Sequence, residues 1–238
     1  NEYFQLEVDR PSLLHSCFLQ LADQIALEGK LKMGSFVKIW KLEFLRPNDY
    51  EPFEMDNGER YPSLAEKVVQ HACKDSFSRN VSEELDYILP YINDCIERSP
   101  NNLWLKLSKA KALMGTGQNE AAQSFGLQVV KNKSGDFWTW DLLGDIYIES
   151  STDLALACFC KALSCEKDIN FVGKVKIKLA ELLIKKDCLD RAKLEVDEIV
   201  QYRSEHGQNI SDEAKKLISL PWYDDQQPVK SNKEFYQE

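Results

Sequence analysis

The stretch Trp140-Asp141-Leu142-Leu143-Gly144-Asp145-Ile146-Tyr147, followed by Ala155-Leu156-Ala157-Cys158-Phe159-Cys160-Lys161-Ala162, decides the fold of this chain. Residues three and four apart share one face of an α-helix, so each stretch carries one stripe of large and small apolar residues. Two facing stripes predict a helical hairpin. We expect Gly144 and Ala155 where the two helices come closest, because small residues allow helices to approach.

These residue types at these gaps are typical of a tetratricopeptide repeat (TPR), in which each unit is a pair of helices. The stretch resembles that family, and the resemblance implies an all-α fold, a TPR-like array of helical hairpins that stack into a right-handed solenoid. We expect Trp140, Leu143, Tyr147, Phe159 and Ala162 to be buried. The turn after Tyr147 is one residue short for the family and lacks the usual glycine. The repeat signature consists of Trp140, Leu143, Gly144, Tyr147, Ala155, Phe159, Ala162, Ala180 and Ala192.

The flanking segments repeat the pattern less cleanly. Downstream, Ala192 follows Ala180 by twelve residues, as the family spacing requires. Upstream, a glycine-containing turn separates Ala110 from Ala122. About three units between residues 100 and 206 would meet the usual minimum for a stable array. The alternative is an ordinary α-helical bundle in which these residues are simply core.

Residues 1–99 show helical periodicity without the repeat residues. The clearest case begins after Ser12 with Leu13, Leu14, Cys17, Phe18, Leu21, Ile25 and Leu27. We therefore predict an α-helical N-terminal region that packs on the first repeat, with a pair of decayed repeats as the alternative. Residues 207–238 are predicted to form a capping helix followed by a C-terminal tail or linker.

An acidic loop over residues 47–63 interrupts the N-terminal helices. It carries five carboxylates against Arg60 alone, and Asn57-Gly58 is a strong signal for a short β-hairpin. One interpretation is a solvated connector; the other is an element that binds a partner or blocks a surface.

Composition excludes several classes of protein. The chain has 238 residues, 43% hydrophobic and 29% charged, which is typical of a folded protein. A net charge of −9 disfavours nucleic-acid binding by the chain itself, because a basic surface is normally needed. No apolar run approaches the roughly 18 residues of a membrane span, and no secretory signal is visible at the start. We expect a cytoplasmic protein without membrane contact, and a fragment of a longer bacterial protein.

The cysteines indicate a reducing compartment and no metal site. Seven is an odd number, so a complete set of disulfides within one chain is impossible. Cys158, Cys160 and Cys165 lie close in sequence, but on a helix the first two point about 200° apart. We predict buried thiols and no bound zinc.

Catalytic residues are not predicted. The three histidines, His15, His71 and His206, stand outside any recognisable catalytic or zinc motif. Asp141, Asp145 and Glu149 recur every four residues, and we interpret them as the solvated face of the Trp140 helix. Neither an enzymatic activity nor a cofactor is therefore expected.

Charge is distributed unevenly along the chain. Residues 171–193 carry seven basic residues against three acidic ones in a chain that is acidic overall. Three of the lysines share one side of a predicted helix, which would attract acidic peptides or phosphates, although a solvated helix face is the alternative. The predicted partner-binding residues are Lys174, Lys178, Lys185, Trp138 and Tyr147.

We therefore predict a non-catalytic TPR-like protein–protein interaction module whose partner is a protein or an acidic peptide segment. The whole chain, from the loop at residues 45–52 through the Cys160–Leu163 stretch, also resembles uncharacterised bacterial TPR proteins associated with conflict (defence) systems. That resemblance implies the alternative, an accessory helical domain of a nucleic-acid-binding or defence protein, with nucleic acid reached only through the full-length protein. An enzyme built on an unfamiliar helical site is the third class.

Overall fold

The computed structural model describes residues 9–54, 56 and 58–237. Within these residues the chain forms twelve α-helices and a single two-stranded sheet. The helices are α1 (Leu13–Leu27), α2 (Met33–Trp40), α3 (Leu64–Ser78), α4 (Ser82–Arg98), α5 (Leu103–Gly115), α6 (Asn119–Asn132), α7 (Phe137–Tyr147), α8 (Thr152–Cys165), α9 (Ile169–Lys185), α10 (Leu189–Glu205), α11 (Asp212–Ile218) and α12 (Pro221–Asp225). Short 3₁₀ turns cover Leu42–Phe44, Pro47–Tyr50 and Phe235–Gln237.

The chain divides into two compact units, Asn1–Phe125 and Gly126–Glu238, with the boundary inside α6. In the first unit α3, α4 and α5 pack against one another, and α1 and α2 pack on α3. In the second unit α7 pairs with α8, α9 pairs with α10, and α8 joins the two pairs by packing on α9. These contacts confirm the predicted all-α array of helical hairpins. The domain boundaries drawn from the sequence, after residues 99 and 206, stay predictions.

The α7–α8 hairpin is built around the close approach of a glycine to an aromatic ring. A Cβ atom added to Gly144 would lie 2.4 Å from Cε1 of Phe159, so only a residue without a side chain fits there. Phe159, Ala155 and Ala162 are fully buried. The predicted role of Gly144 at a close helix contact is therefore confirmed.

Two other signature residues lie at the edge of this core instead of inside it. Trp140 and Tyr147 are half-buried and pack against the core from its rim, so the prediction that they are buried was wrong. The indole Nε1 of Trp140 donates a hydrogen bond to the Ser134 carbonyl at 2.8 Å. A polar N–H that needs a partner is more easily satisfied at an edge than in the centre of a core.

Three connections between consecutive helices have the same three-residue turn, at residues 79–81, 116–118 and 186–188. The middle residue is left-handed in each: Asn80 (φ 54°), Gly117 (φ 74°) and Asp187 (φ 59°). The next residue donates its N–H five positions back, at 3.0, 2.8 and 2.9 Å respectively, which is the Schellman arrangement that satisfies carbonyls at a helix end. The α3–α4 hairpin therefore shares the closing geometry of the repeats without their side-chain signature.

Gly117→Ala is expected to lower the free energy of unfolding by about 1–2 kcal/mol, because a Cβ atom strains the left-handed conformation. Gly135→Ala is the matched control, since Gly135 has an ordinary φ and open space around it. Its effect should stay within about 0.5 kcal/mol. Urea denaturation of both variants measures the difference, and equal midpoints would contradict the strain argument.

Helix α1 turns its apolar stripe outward. Leu13, Leu14, Leu21, Ile25 and Leu27 are 46–66% exposed. The buried side of α1 is mainly polar and consists of His15, Ser16, Leu19, Ala22 and Asp23. The periodicity thus predicted the helix correctly, but it marks a surface of this chain and not its core.

The polar side of α1 is satisfied inside the first unit. The His15 ring stacks on Trp40 with centroids 4.1 Å apart, and the Trp40 indole donates to the His15 carbonyl at 3.0 Å. Ser16 donates to the Asp49 carboxylate at 2.7 Å. Asp49 is buried, so this part of the acidic loop is not a solvated connector.

The predicted hairpin in the acidic loop is confirmed in its strands. Strand β1 (Phe53–Glu54) pairs antiparallel with β2 (Arg60–Tyr61). Of the predicted turn, Gly58 is described, whereas Asn57 lies outside the described residues. Arg60 fastens the hairpin to the helices by donating to Ser99 Oγ at 2.7 Å.

Candidate interaction site

The predicted partner-binding lysines on α9 fall into two groups. Lys174 and Lys185 are exposed. Lys178 instead places its ammonium 2.7 Å from Asp141 and 2.8 Å from Asp145, both on α7. Its side chain is only 26% exposed and lies 5.6 Å from the Phe159 ring centroid. Lys178 therefore connects α7 to α9 and is not an exposed cation.

Asp141 and Asp145 are therefore not simply the solvated face of α7, because both contact Lys178. Burial lowers the pKa of Lys178, but Asp141 and Asp145 outweigh it and raise that pKa above its ordinary value. Glu149, the third carboxylate of the series, is exposed as predicted. Trp138 and Tyr147, the predicted apolar contacts on α7, are both half-buried.

A second lysine of α9 lies on the other side of the helix, because residues two apart point about 200° from each other. Lys176 contacts Glu195 and Glu198 of α10, each at 2.6 Å. The side chains of Lys176 and Glu195 are 7% and 0% exposed. Burial lowers the pKa of Lys176, but the two glutamates raise it above its usual range.

Sequence reasoning missed this buried ion pair, although one signal was available. Lys176 stands between Val175 and Ile177, both buried, and Glu195 precedes the buried Val196. A charge placed within an apolar run is a candidate for burial with a partner, since an unpaired buried charge is very costly.

The C-terminal segment, defined here as residues 229–237, completes the network around Glu195. Asn232 is 2% exposed, and its Nδ2 donates to Glu195 Oε1 at 2.6 Å and to the Arg191 carbonyl at 3.1 Å. The Tyr236 hydroxyl donates to the same carboxylate oxygen. The Arg191 guanidinium covers the Phe235 ring at 4.6 Å from its centroid.

Two cavities border the C-terminal segment. One, of about 750 Å³, is lined by Val172, Lys176 and Tyr202 on the helices and by Asn232 and Tyr236 on the segment. The other, of about 520 Å³, is formed by α8, the end of α9 and residues 235–237. Both volumes are in the range of ligand-binding clefts.

Helix α12 is held separately from the C-terminal segment. The Tyr223 hydroxyl donates to Asp197 Oδ1 at 2.5 Å, and the Lys193 ammonium lies 3.3 Å from the Tyr223 ring centroid. Lys193 also contacts Asp197 at 3.1 Å. Helix α12 is thus anchored to α10 by contacts that do not involve residues 229–237.

Among the described residues, no group of three or more His, Cys, Asp or Glu side chains is arranged to hold a metal ion. Cys158 and Cys160 are buried, and burial raises the pKa of Cys158 to about 11. Cys17 is exposed and Cys165 and Cys188 are only partly buried, so the prediction of buried thiols was wrong at these three positions.

Comparison with solved structures shows a TPR-like fold. MamA residues 41-end from Desulfovibrio magneticus RS-1 has a TM-score of 0.58 at 14% identity over 82% of this chain and 98% of that one. A double mutant, MamA RS-1 ArsTM, gives 0.57 at the same identity and coverage. A thermophilic TPR protein of Thermus thermophilus gives 0.51 at 16% identity over 77% and 88% of the two chains. The array of hairpins therefore has a TPR-like fold.

Further findings concern membrane-spanning helices and the family of the chain. In the part of the chain that the structure describes, no helix combines the length and apolarity required to cross a bilayer. A search of curated proteins gives no match. One family model, described as a domain of unknown function, DUF7017, matches residues 103–238. Because this match spans more than half of the chain, the protein belongs to the DUF7017 family.

Proposed function

We propose that the protein is a non-catalytic interaction module, cytoplasmic and part of a larger bacterial protein, which binds an acidic segment of another protein. The observation that carries the proposal is the surface of α9, where Lys174 and Lys185 are exposed on the same side of the helix. Arrays of helical hairpins offer extended surfaces of this kind, on which side chains of successive helices face a bound partner.

We define the α7–α9 surface by Trp138 on α7 and by Lys174, Lys178 and Lys185 on α9. Two of its three lysines are exposed. Lys178 is held by Asp141 and Asp145, so it sets the spacing of α7 and α9 and contributes no free charge. Lys174 and Lys185 remain to attract carboxylates, and the half-buried ring of Trp138, on the same side of α7 as Asp141 and Asp145, offers apolar contact. Tyr147 lies about 180° around α7 from Trp138 and packs against the core, so it is not part of this surface. Binding through exposed lysines should weaken as salt is added, because charges are screened within about 8 Å at physiological ionic strength.

Reversal of the two lysines tests this proposal. A peptide-display library selected on the wild-type chain should enrich acidic peptides. Lys174→Glu/Lys185→Glu should weaken binding of an enriched peptide at least about tenfold, since two attractive contacts, each about 0.5–1 kcal/mol, become repulsive. Fluorescence anisotropy at two salt concentrations measures the affinities.

The matched control is Lys131→Glu/Lys216→Glu, which reverses two other exposed lysines, on α6 and α11. This control should bind the peptide nearly as well as the wild type, and both variants should keep their helical circular dichroism. Equal binding by the α9 variant would contradict the proposal. If single-stranded nucleic acid competes with the peptide for Lys174 and Lys185 at low salt, the accessory nucleic-acid domain becomes the better reading.

A further inference from the structure

The C-terminal segment lies on the array in the manner of a bound peptide. Residues 226–234 have no regular secondary structure, and a 3₁₀ turn follows at Phe235–Gln237. Two main-chain hydrogen bonds to the helices are present in the described residues. The Val229 N–H donates to the Asp190 carbonyl at 3.3 Å, and the Tyr236 carbonyl accepts from Ser164 Oγ at 3.2 Å.

The remaining attachment comes from a few side chains of specific chemistry. The Asn232 amide uses both ends, since its Nδ2 donates to Glu195 and its Oδ1 accepts from Arg191 at 3.3 Å. The Tyr236 hydroxyl lies between Glu195 and the Lys176 ammonium, 3.3 Å from the latter. Neighbouring side chains Lys230 and Lys233 are exposed. Anchoring side chains that alternate with exposed ones are typical of a peptide bound in the pockets of a protein surface.

The segment leaves space beside it. Two clefts that are open to solvent, of about 750 and 520 Å³, border the segment. The helix surface under the segment nevertheless requires specific side chains, because Glu195 is fully buried and accepts hydrogen bonds from Asn232 and Tyr236. An occupant must therefore supply an amide and a hydroxyl, while much of its remaining volume is free to change.

We propose that the surface of α8 and α10 is a peptide-binding face and that residues 229–237 occupy it in the resting protein. The partner that fits is an extended peptide with an asparagine four residues before a tyrosine and an aromatic residue directly before that tyrosine. Such a peptide displaces the C-terminal segment by offering Glu195 and Arg191 the same contacts. This face is separate from the α7–α9 surface, so either proposal can fail alone.

Release of the segment within the full chain tests the proposal. In the variant Asn232→Ala/Tyr236→Ala the two anchors to Glu195 are removed. The probe is a fluorescent synthetic peptide of residues 226–237. A tethered segment competes at an effective concentration in the millimolar range, so the double variant should bind the probe at least about tenfold more tightly than the wild type does.

The matched control is Lys230→Ala/Lys233→Ala, which changes two exposed side chains of the same segment. It should bind the probe as weakly as the wild type. A probe carrying the two alanine substitutions should not bind the double variant. If the double variant keeps its helical circular dichroism and binds the probe no better than the wild type, the proposal is overturned.

Hydrogen exchange of the wild-type chain gives a second readout, which does not require the double variant to fold. A displaceable segment opens without unfolding the array, so the amides of residues 229–237 should exchange at least about tenfold faster than those of α9. Exchange of the segment and α9 at one common rate would show that the segment is an integral part of the fold, and would also overturn the proposal.

Discussion

Lys176→Ala should lower the free energy of unfolding by about 3–5 kcal/mol, the cost of leaving the other member of a buried ion pair without its partner. The side chain of Glu195 is fully buried, and Lys176 is its cationic neighbour at 2.6 Å. Asn232 and Tyr236 still donate hydrogen bonds to that carboxylate, but they bring no charge. Urea denaturation followed by circular dichroism measures the loss.

Lys178→Ala is a close control for this variant. It removes a lysine from the same helix that also bridges two carboxylates, but these lysine and aspartate side chains are 26–30% exposed. Solvent screens such a pair, so we expect a loss of about 1 kcal/mol at most. If both variants lost the same stability, burial would not be the reason for the effect of Lys176.

The sign of the pH dependence follows from the raised pKa of Lys176. The ion pair stabilises the folded chain fully below the ordinary lysine pKa of 10.5. Its contribution disappears only as the pH rises through the higher folded-state pKa, since the proton is then lost from both states. The stability difference between the wild type and Lys176→Ala should therefore be constant between neutral pH and about pH 10.

Gly144→Leu should destabilise the α7–α8 hairpin by about 1–3 kcal/mol through overpacking. The first atom of any side chain at this position would meet the Phe159 ring at 2.4 Å, and that ring is fully buried and cannot turn away into solvent. Thermal unfolding followed by circular dichroism should show a lower midpoint. An unchanged midpoint would show that α7 and α8 are not in close contact at Gly144.

Gly173→Ala provides the contrast in a neighbouring helix. Gly173 lies within α9, and an added Cβ atom would meet nothing within 4 Å. Alanine favours the helix over glycine by about 0.5–1 kcal/mol, so this variant should be slightly more stable than the wild type. A loss of stability in Gly144→Leu together with a gain in Gly173→Ala would separate the effect of steric contact from that of helix propensity.

The repeat hairpins could be predicted from the sequence because their information is local. Ala155, Phe159 and Ala162 form one stripe, and this stripe is the buried side of α8. The same reasoning failed for α1, where the stripe is exposed. Periodicity shows that one side of a helix is apolar, but it does not show which neighbour covers that side.

The candidate sites were less predictable because their contacts join distant parts of the chain. Lys176 and Lys178 are two positions apart and have the same charge, yet their rotation about the helix gives them different partners and different burial. Lys178 meets aspartates 33 and 37 residues before it, and Tyr236 meets a glutamate 41 residues before it. No local spacing encodes such pairs, so the sequence identified the charged helix but not the roles of its lysines.

The left-handed turns also bear on how the connections between these helices can change in sequence. The middle positions are occupied by Asn80, Gly117 and Asp187, the residue types that tolerate a positive φ best. In the genetic code, codons for asparagine and aspartate differ by one base, as do codons for aspartate and glycine. Mutation can therefore pass from one of these residues to another in single steps without leaving the backbone conformation that closes the hairpin. Substitutions along this path keep the geometry of the turn while the residue that forms it changes.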